Sequence, residues 1–97
     1  MSTVKSQYET VFIIDNSIGE ENVKATIARF EELIAGSGTV VEKNEWGVRR
    51  LAYPIRFREE GYYVLIYFDA SPDFPRELER IFNITDGVLR SLVIRRD

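Results

Sequence analysis

The sequence contains neither cysteine nor histidine. Without cysteine there are no disulfides, no thiolate nucleophile and no cysteine ligands for zinc. Without histidine, the side chain most often used for acid–base catalysis near neutral pH is missing. The acidic residues that remain are not spaced as in a calcium-binding loop. These absences predict a protein that is not an enzyme and that uses no cofactor, no metal and no small-molecule substrate.

Long apolar runs are absent as well, so we expect no membrane span. The first residues, MSTVKSQYE, lack the apolar stretch of a secretory signal, and we expect a cytoplasmic protein. With 97 residues, 44% of them hydrophobic and 30% charged, the composition is typical of one globular domain. The expected domain covers residues 1–97.

Positive charge is scarce in the first half of the chain. Residues 1–48 contain four Lys or Arg and eight acidic residues, whereas residues 49–97 contain nine Arg and eight acidic residues. The net charge of −3 argues weakly against a nucleic-acid partner. Ten of the 13 basic residues are arginine, however, and its planar guanidinium suits bidentate phosphate contacts. A basic edge is therefore possible if the fold brings these arginines together.

Apolar periodicity predicts six elements. Strands are expected at 8–14, 39–55, 61–69 and 88–94, helices at about 20–35 and 71–82, and polar loops at 56–60 and 83–87. The order β-α-β-β-α-β is that of the ferredoxin-like split βαβ fold, an α+β architecture. Right-handed crossovers then give a four-stranded antiparallel sheet of order 4-1-3-2 with two helices on one face.

Individual residues refine this prediction. Gly47, inside a strand, indicates a bulge, and Pro54 places the same strand at a sheet edge. The side chains expected in the core are Phe12, Ile27, Phe30, Leu78 and Ile81.

Two helices can cover only one face of the sheet. Strand alternation predicts that the other face carries an apolar set: Val11, Ile13, Tyr63, Leu65 and Tyr67. An exposed apolar face usually marks an interaction surface, and we predict that these residues contact a partner protein. Coverage by loops, by the helices or by a second copy is the alternative.

The segment WGVRRLAYPI, residues 46–55, is the most informative stretch. Arg49 and Arg50 are adjacent in a predicted strand and so point to opposite faces. Beside Tyr53, they are suited to bind phosphate and to stack on or pair with RNA. The residues alone equally allow a protective role, because charged side chains on an edge strand prevent aggregation.

Four segments together resemble the bacterial small-subunit ribosomal protein of the S-six family. They are QYETVFII, WGVRRLAYPI, GYYVLIYF and NITDGVLRSLVIR, and the resemblance extends over about residues 7–96. It implies a ferredoxin-like fold and binding to the central domain of small-subunit ribosomal RNA, together with the small-subunit protein of the S-eighteen family. By position, the implied RNA-binding residues are Arg49, Arg50, Tyr53, Arg90 and Tyr8. Ser6 and Gln7 depart from the family, which often has basic residues there.

Three other functions use the same topology. VFIIDN at residues 11–16 resembles the first signature of the RNA-recognition motif, but Tyr63 and Val64 follow Gly61-Tyr62 where that motif has a small residue and then an aromatic. An acylphosphatase needs a phosphate-binding loop with glycine and arginine after the first strand, and DNSIGEEN has no arginine. A small-molecule regulatory domain remains open, because a fold does not determine a function.

Overall fold

The strands and helices of the structure are those that the alternating and helical patterns of the sequence predict. The computed structural model describes residues 6–55 and 58–96, and at residues 52–55 and 58 it describes the backbone alone. The elements are β1 (Ser6–Ile14), α1 (Glu20–Ser37), β2 (Gly38–Ile55), β3 (Arg58–Ala70), α2 (Phe74–Ile84) and β4 (Val88–Arg95). A short 3-10 turn, Asn16–Ile18, leads from β1 into α1.

The four strands form one antiparallel sheet of order β2-β3-β1-β4. This is the predicted 4-1-3-2 order, and the ferredoxin-like fold is confirmed. The two βαβ crossovers place β1 and β3 side by side in the centre, because each helix must return over the same face. As Pro54 indicated, β2 is an edge strand; the side chain of Pro54 itself lies outside the described residues.

Two predicted loops are shorter than expected. β3 begins at Arg58, so residues 58–60 belong to the strand, where Arg50 pairs with Glu60 and Ile55 with Arg58. β2 and β3 thus continue as a hairpin beyond the end of β1, because their backbone groups satisfy each other there. α2 continues to Ile84, two residues into the other predicted loop.

The core lies between the helices and one face of the sheet. Its centre is a group of three rings: Phe30 stacks on Phe82 at 4.3 Å between centroids, and Phe12 lies 5.5 Å from Phe30 and 4.9 Å from Phe82. The predicted core residues Phe12, Ile27, Phe30 and Leu78 are buried. Ile81 packs against the core from its edge and is only partly buried, which corrects that prediction.

A β-bulge interrupts β2 at Trp46 and Gly47. The register shifts between Glu45 and Gly47, so that both bulge residues face Tyr63 of β3. Gly47 has a φ of 81°, which glycine adopts without the strain that other residues incur. The predicted bulge is therefore confirmed, and it changes which residues share a face beyond it: Arg49 pairs with Gly61 and Arg50 with Glu60.

Candidate nucleic-acid interface

The sheet surface turned away from the two helices, here called the open face, carries the predicted apolar set. Residues paired across neighbouring strands form rows on this face: Val11 lies beside Leu65 in one row, and Ile13 lies beside Tyr63 in the next. Tyr67 occupies the next row, beside Glu9. The strand alternation therefore assigned all five residues to the correct face.

Burial corrects part of that prediction. Ile13 and Leu65 are only 8% and 6% exposed, although no helix covers them. Leu51 of β2 is also buried and lies over Gly61 beside Ile13. Ile13 and Leu51 thus meet beside Gly61. Ile13 and Leu65 thus lie beneath the surface that the open face presents, whereas Val11, Tyr63 and Tyr67 are half-buried.

Two exposed apolar residues of the open face were missed by the sequence analysis. Leu92 and Ile94 of β4 are 55% and 43% exposed, and they pair with Val11 and Glu9 of β1. The alternation of VLRSLVIR contained the signal, because residues two apart in a strand share a face. Val11, Leu92 and Ile94 form what is called here the apolar strip.

An aromatic and arginine cluster occupies the other side of the open face. The ring of Trp46 stacks on Tyr63 across the strand pair, with centroids 6.2 Å apart and planes inclined by 20°. The Arg49 Nε donates a hydrogen bond to the Trp46 carbonyl oxygen at 3.4 Å. The bulge brings Arg49 and Trp46 to the same side of β2, and both residues are exposed.

The predicted RNA-binding residues are only partly brought together. Arg50 is exposed beside the Trp46 cluster and helps to line the same concave surface. Arg90 is exposed on β4 and pairs with Ile13. It is therefore on the open face, three strand spacings or about 15 Å from β2. The side chain of Tyr53 lies outside the described residues.

Tyr8 is in a different environment from the one the resemblance implied. It is 5% exposed, faces the helices and stacks on Phe68 at 5.6 Å between ring centroids. The structure therefore corrects its assignment as an RNA-binding residue, because a ring packed in the core cannot stack on a base. Its apolar partners and its position in β1 explain its presence through packing alone.

The end of the open face farthest from Trp46 carries charges of both signs. Glu9 and Glu42 lie on either side of Tyr67 in the strand register. The guanidinium of Arg96 lies 4.4 Å from the centre of the Tyr67 ring, within cation–π range. At the Trp46 end, by contrast, Arg49 pairs with Gly61 in the strand register.

A polar network on the other side of β2 ties three elements together. Lys43 of β2 bridges Glu31 of α1 and Glu45 of β2, at 3.1 and 3.5 Å. The Tyr62 hydroxyl of β3 donates to Glu45 at 2.9 Å. The hydrogen bond to Glu31 raises the pKa of Lys43, and the hydrogen bond to Glu45 together with burial raises the pKa of Tyr62. This network faces the helices and takes no part in the open face.

Among the residues that the structure describes, no group of His, Cys, Asp and Glu is placed to hold a metal ion. Within the same residues, no helix has the length and apolar character needed to cross a bilayer.

Comparison with known proteins identifies the family. The family model for ribosomal protein S6 matches residues 7–95, nearly the whole chain. The chain belongs to the ribosomal protein S6 family. It is 56% identical to the small ribosomal subunit protein bS6 of Clostridium novyi over 88 residues, which are 90% of this chain and 93% of that protein. The corresponding protein of Caldanaerobacter subterraneus is 52% identical over 93% of this chain and 96% of its own length.

A solved structure of the same family has the same fold. The crystal structure of 30S ribosomal protein S6 from Thermotoga maritima superposes with a TM-score of 0.90 at 29% identity, covering 96% of this chain and 89% of that one. The family membership confirms the resemblance seen in the sequence. It also confirms that this is a structural protein of the small ribosomal subunit, on the cytoplasmic ribosome, and not an enzyme.

Proposed function

We propose that the chain binds the central domain of small-subunit ribosomal RNA, and that it does so paired with the small-subunit protein of the S-eighteen family. The observation that carries this proposal is the open face, on which an exposed apolar strip adjoins an exposed arginine and aromatic cluster. A single surface is thereby divided between contacts suited to protein and contacts suited to RNA.

The RNA contacts are assigned to Arg49, Arg50 and Arg90. All three are exposed, and the guanidinium group binds phosphate oxygens through two parallel hydrogen bonds. Arg49 and Arg50 are adjacent in β2 and line the same concave surface, so together they can bind neighbouring phosphates of one RNA backbone. Tyr53 follows them in the same strand and remains a candidate for stacking on a base.

The partner-protein contacts are assigned to the apolar strip and to Tyr67. Leu92, at 55% exposed, and Ile94, at 43% exposed, border the half-buried Val11 on one sheet face. Apolar side chains grouped in this way are stabilised when a partner removes them from water, by about 25 cal/mol per Å² of buried apolar surface. Glu9 in the adjoining row favours a partner with basic groups at that end.

The Arg49→Ala and Arg50→Ala substitutions test the RNA contacts. Each is expected to weaken binding of the protein pair to a central-domain RNA fragment by about 1–3 kcal/mol, because a charge-assisted contact is lost. Each should also reduce the slope of log affinity against log salt by about 0.7–0.9, since fewer condensed counterions are released. Filter binding over a series of salt concentrations measures both quantities.

Arg29→Ala is the matched control, because Arg29 is an exposed arginine on α1 and its loss changes the net charge equally. It should leave both the affinity and the salt slope nearly unchanged. The proposal is contradicted if the Arg49 and Arg50 variants bind RNA with wild-type affinity and slope. Increased aggregation in that case would assign the arginines to protection of the edge strand.

A further inference from the structure

Trp46 is the only tryptophan of the chain, and nearly half of its side chain, 45%, is exposed. Large aromatic side chains usually gain stability by burial, so an exposed one in a β-bulge suggests that it contacts a ligand. None of the RNA or partner contacts assigned above uses it.

Trp46 has two neighbours, one at its ring and one at its backbone. Tyr63 stacks beneath it with ring planes inclined by only 20°, and Arg49 binds its backbone carbonyl oxygen. The bulge at Gly47 puts both residues of the kink opposite Tyr63, which brings the Trp46 ring over that side chain. Although Trp46 stacks on Tyr63, nearly half of the residue remains exposed, so part of the indole is open to a ligand. A pre-positioned flat surface loses little rotamer entropy when a second ring stacks on it.

We infer that Trp46 is the stacking platform for an unpaired base of the bound ribosomal RNA, supported by Tyr63 and flanked by Arg49 and Arg50. Among the residues that the structure describes, these four line an open concavity of about 440 Å³, and two of them are arginines while none is acidic. This inference rests on the proposed function and adds a base-contacting residue to it.

The charges of the concavity favour RNA over a protein segment. A stacked base comes with a phosphate on each side, and two guanidinium groups beside the ring can bind these phosphates while the indole takes the base. A protein segment would have to supply a flat ring and acidic groups at the same spacing. Base stacking on an aromatic platform is largely independent of sequence, so the class of ligand expected is any splayed, single-stranded nucleotide.

Fluorescence of the single tryptophan reports the contact directly. The protein pair is titrated with a central-domain fragment of small-subunit ribosomal RNA, and the same titration of the Trp46→Phe variant is subtracted to remove any signal from the partner. Stacking of a base should quench the Trp46 emission in proportion to the RNA bound. The Trp46→Leu variant, which keeps an apolar side chain but has no flat ring, should bind the fragment about 5- to 150-fold more weakly. Trp46→Phe should retain most of the affinity.

The salt slope separates this contact from the arginine contacts. Since indole is uncharged, Trp46→Leu should lower the affinity without changing the slope, in contrast to Arg49→Ala. Thermal unfolding of each variant verifies that the fold is intact.

Three results would overturn the inference, and each has a different meaning. If the wild-type pair does not bind the fragment, the proposed function fails and the inference fails with it. If the wild-type pair binds but Trp46 is not quenched and Trp46→Leu binds equally well, the inference alone fails. If Trp46→Leu instead weakens capture of the partner protein in the absence of RNA, the platform belongs to the protein contact.

Discussion

Gly61 leaves the space that the Ile13 side chain occupies on the open face. A β-carbon at this position would approach the Ile13 Cγ2 to 2.3 Å, and the Leu51 side chain lies 3.7 Å away. The Cγ2 methyl is attached to the branched β-carbon of Ile13, whose χ1 rotation is restricted, so it cannot move aside easily. The glycine is needed here for close approach, and not for an unusual backbone angle.

Gly61→Ala is therefore expected to destabilise the protein by about 1–3 kcal/mol, the usual effect of overpacking. Denaturant unfolding of the wild type, of Gly61→Ala, of Ile13→Ala and of the double variant measures the coupling. Ile13→Ala removes Cγ2 with the rest of the side chain beyond its β-carbon, so in that background Gly61→Ala should cost much less. Additive effects of the two substitutions would show that the clash is relieved by other means.

At the scale of elements, the Glu31–Lys43–Glu45–Tyr62 network joins α1 to the long β2–β3 hairpin. The pKa values of Lys43 and Tyr62 are raised above their ordinary values of 10.5 and 10.0. In both cases the folded state holds its proton more tightly than the unfolded state does. Their contribution to stability is therefore complete below about pH 10 and is lost as the pH rises further.

We expect the free energy of unfolding to fall as the pH rises above about 10, and to fall less in the Tyr62→Phe variant, which has no phenolic proton to lose. Urea unfolding at pH 8 and at closely spaced points above pH 9.5 gives the comparison. Tyr67→Phe, on the open face, is the control and should behave as the wild type. An identical alkaline loss in the Tyr62→Phe variant would show that the hydroxyl bond to Glu45 contributes nothing to stability.

On the scale of the whole molecule, charge and exposed apolar surface are distributed unevenly. The net charge is −3, so long-range attraction to RNA is weak, and the proposed RNA contacts depend on the exposed arginines of the open face. A partner protein on the apolar strip would add contacts to the same RNA. Affinity then depends on the two proteins together.

The isolated chain should bind the central-domain fragment weakly at physiological salt, and the partner should increase that affinity by about 5- to 150-fold, a typical coupling between two binding events. The RNA must increase the affinity for the partner by the same factor, because the coupling is reciprocal. Calorimetric titration in both orders, with the partner and RNA alone as the reference, measures the two factors. Tight binding by the chain alone would contradict this expectation.

Local sequence determined the strands and helices, because alternation and helical spacing reflect which side of each element is buried. It also identified the bulge, since only glycine adopts the conformation at Gly47 easily, and assigned Val11, Ile13, Tyr63, Leu65 and Tyr67 to one face. The lack of histidine and cysteine removed most enzyme classes, and WGVRRLAYPI indicated the family. The ends of β3 and α2 were less accurate, because hairpin pairing beyond β1 and the last helical turn depend on neighbours that the local pattern does not contain.

Tertiary structure alone decided what each face presents to a ligand. Leu51 covers Ile13 only because the hairpin register places it over Gly61, and Trp46 meets Tyr63 only because the bulge shifts that register. Tyr8 is buried because its strand lies in the centre of the sheet, where Phe68 packs on it. Alternation assigns a side chain to a face, but its exposure depends on contacts between residues far apart in the chain, and those contacts arise only when the sheet is assembled.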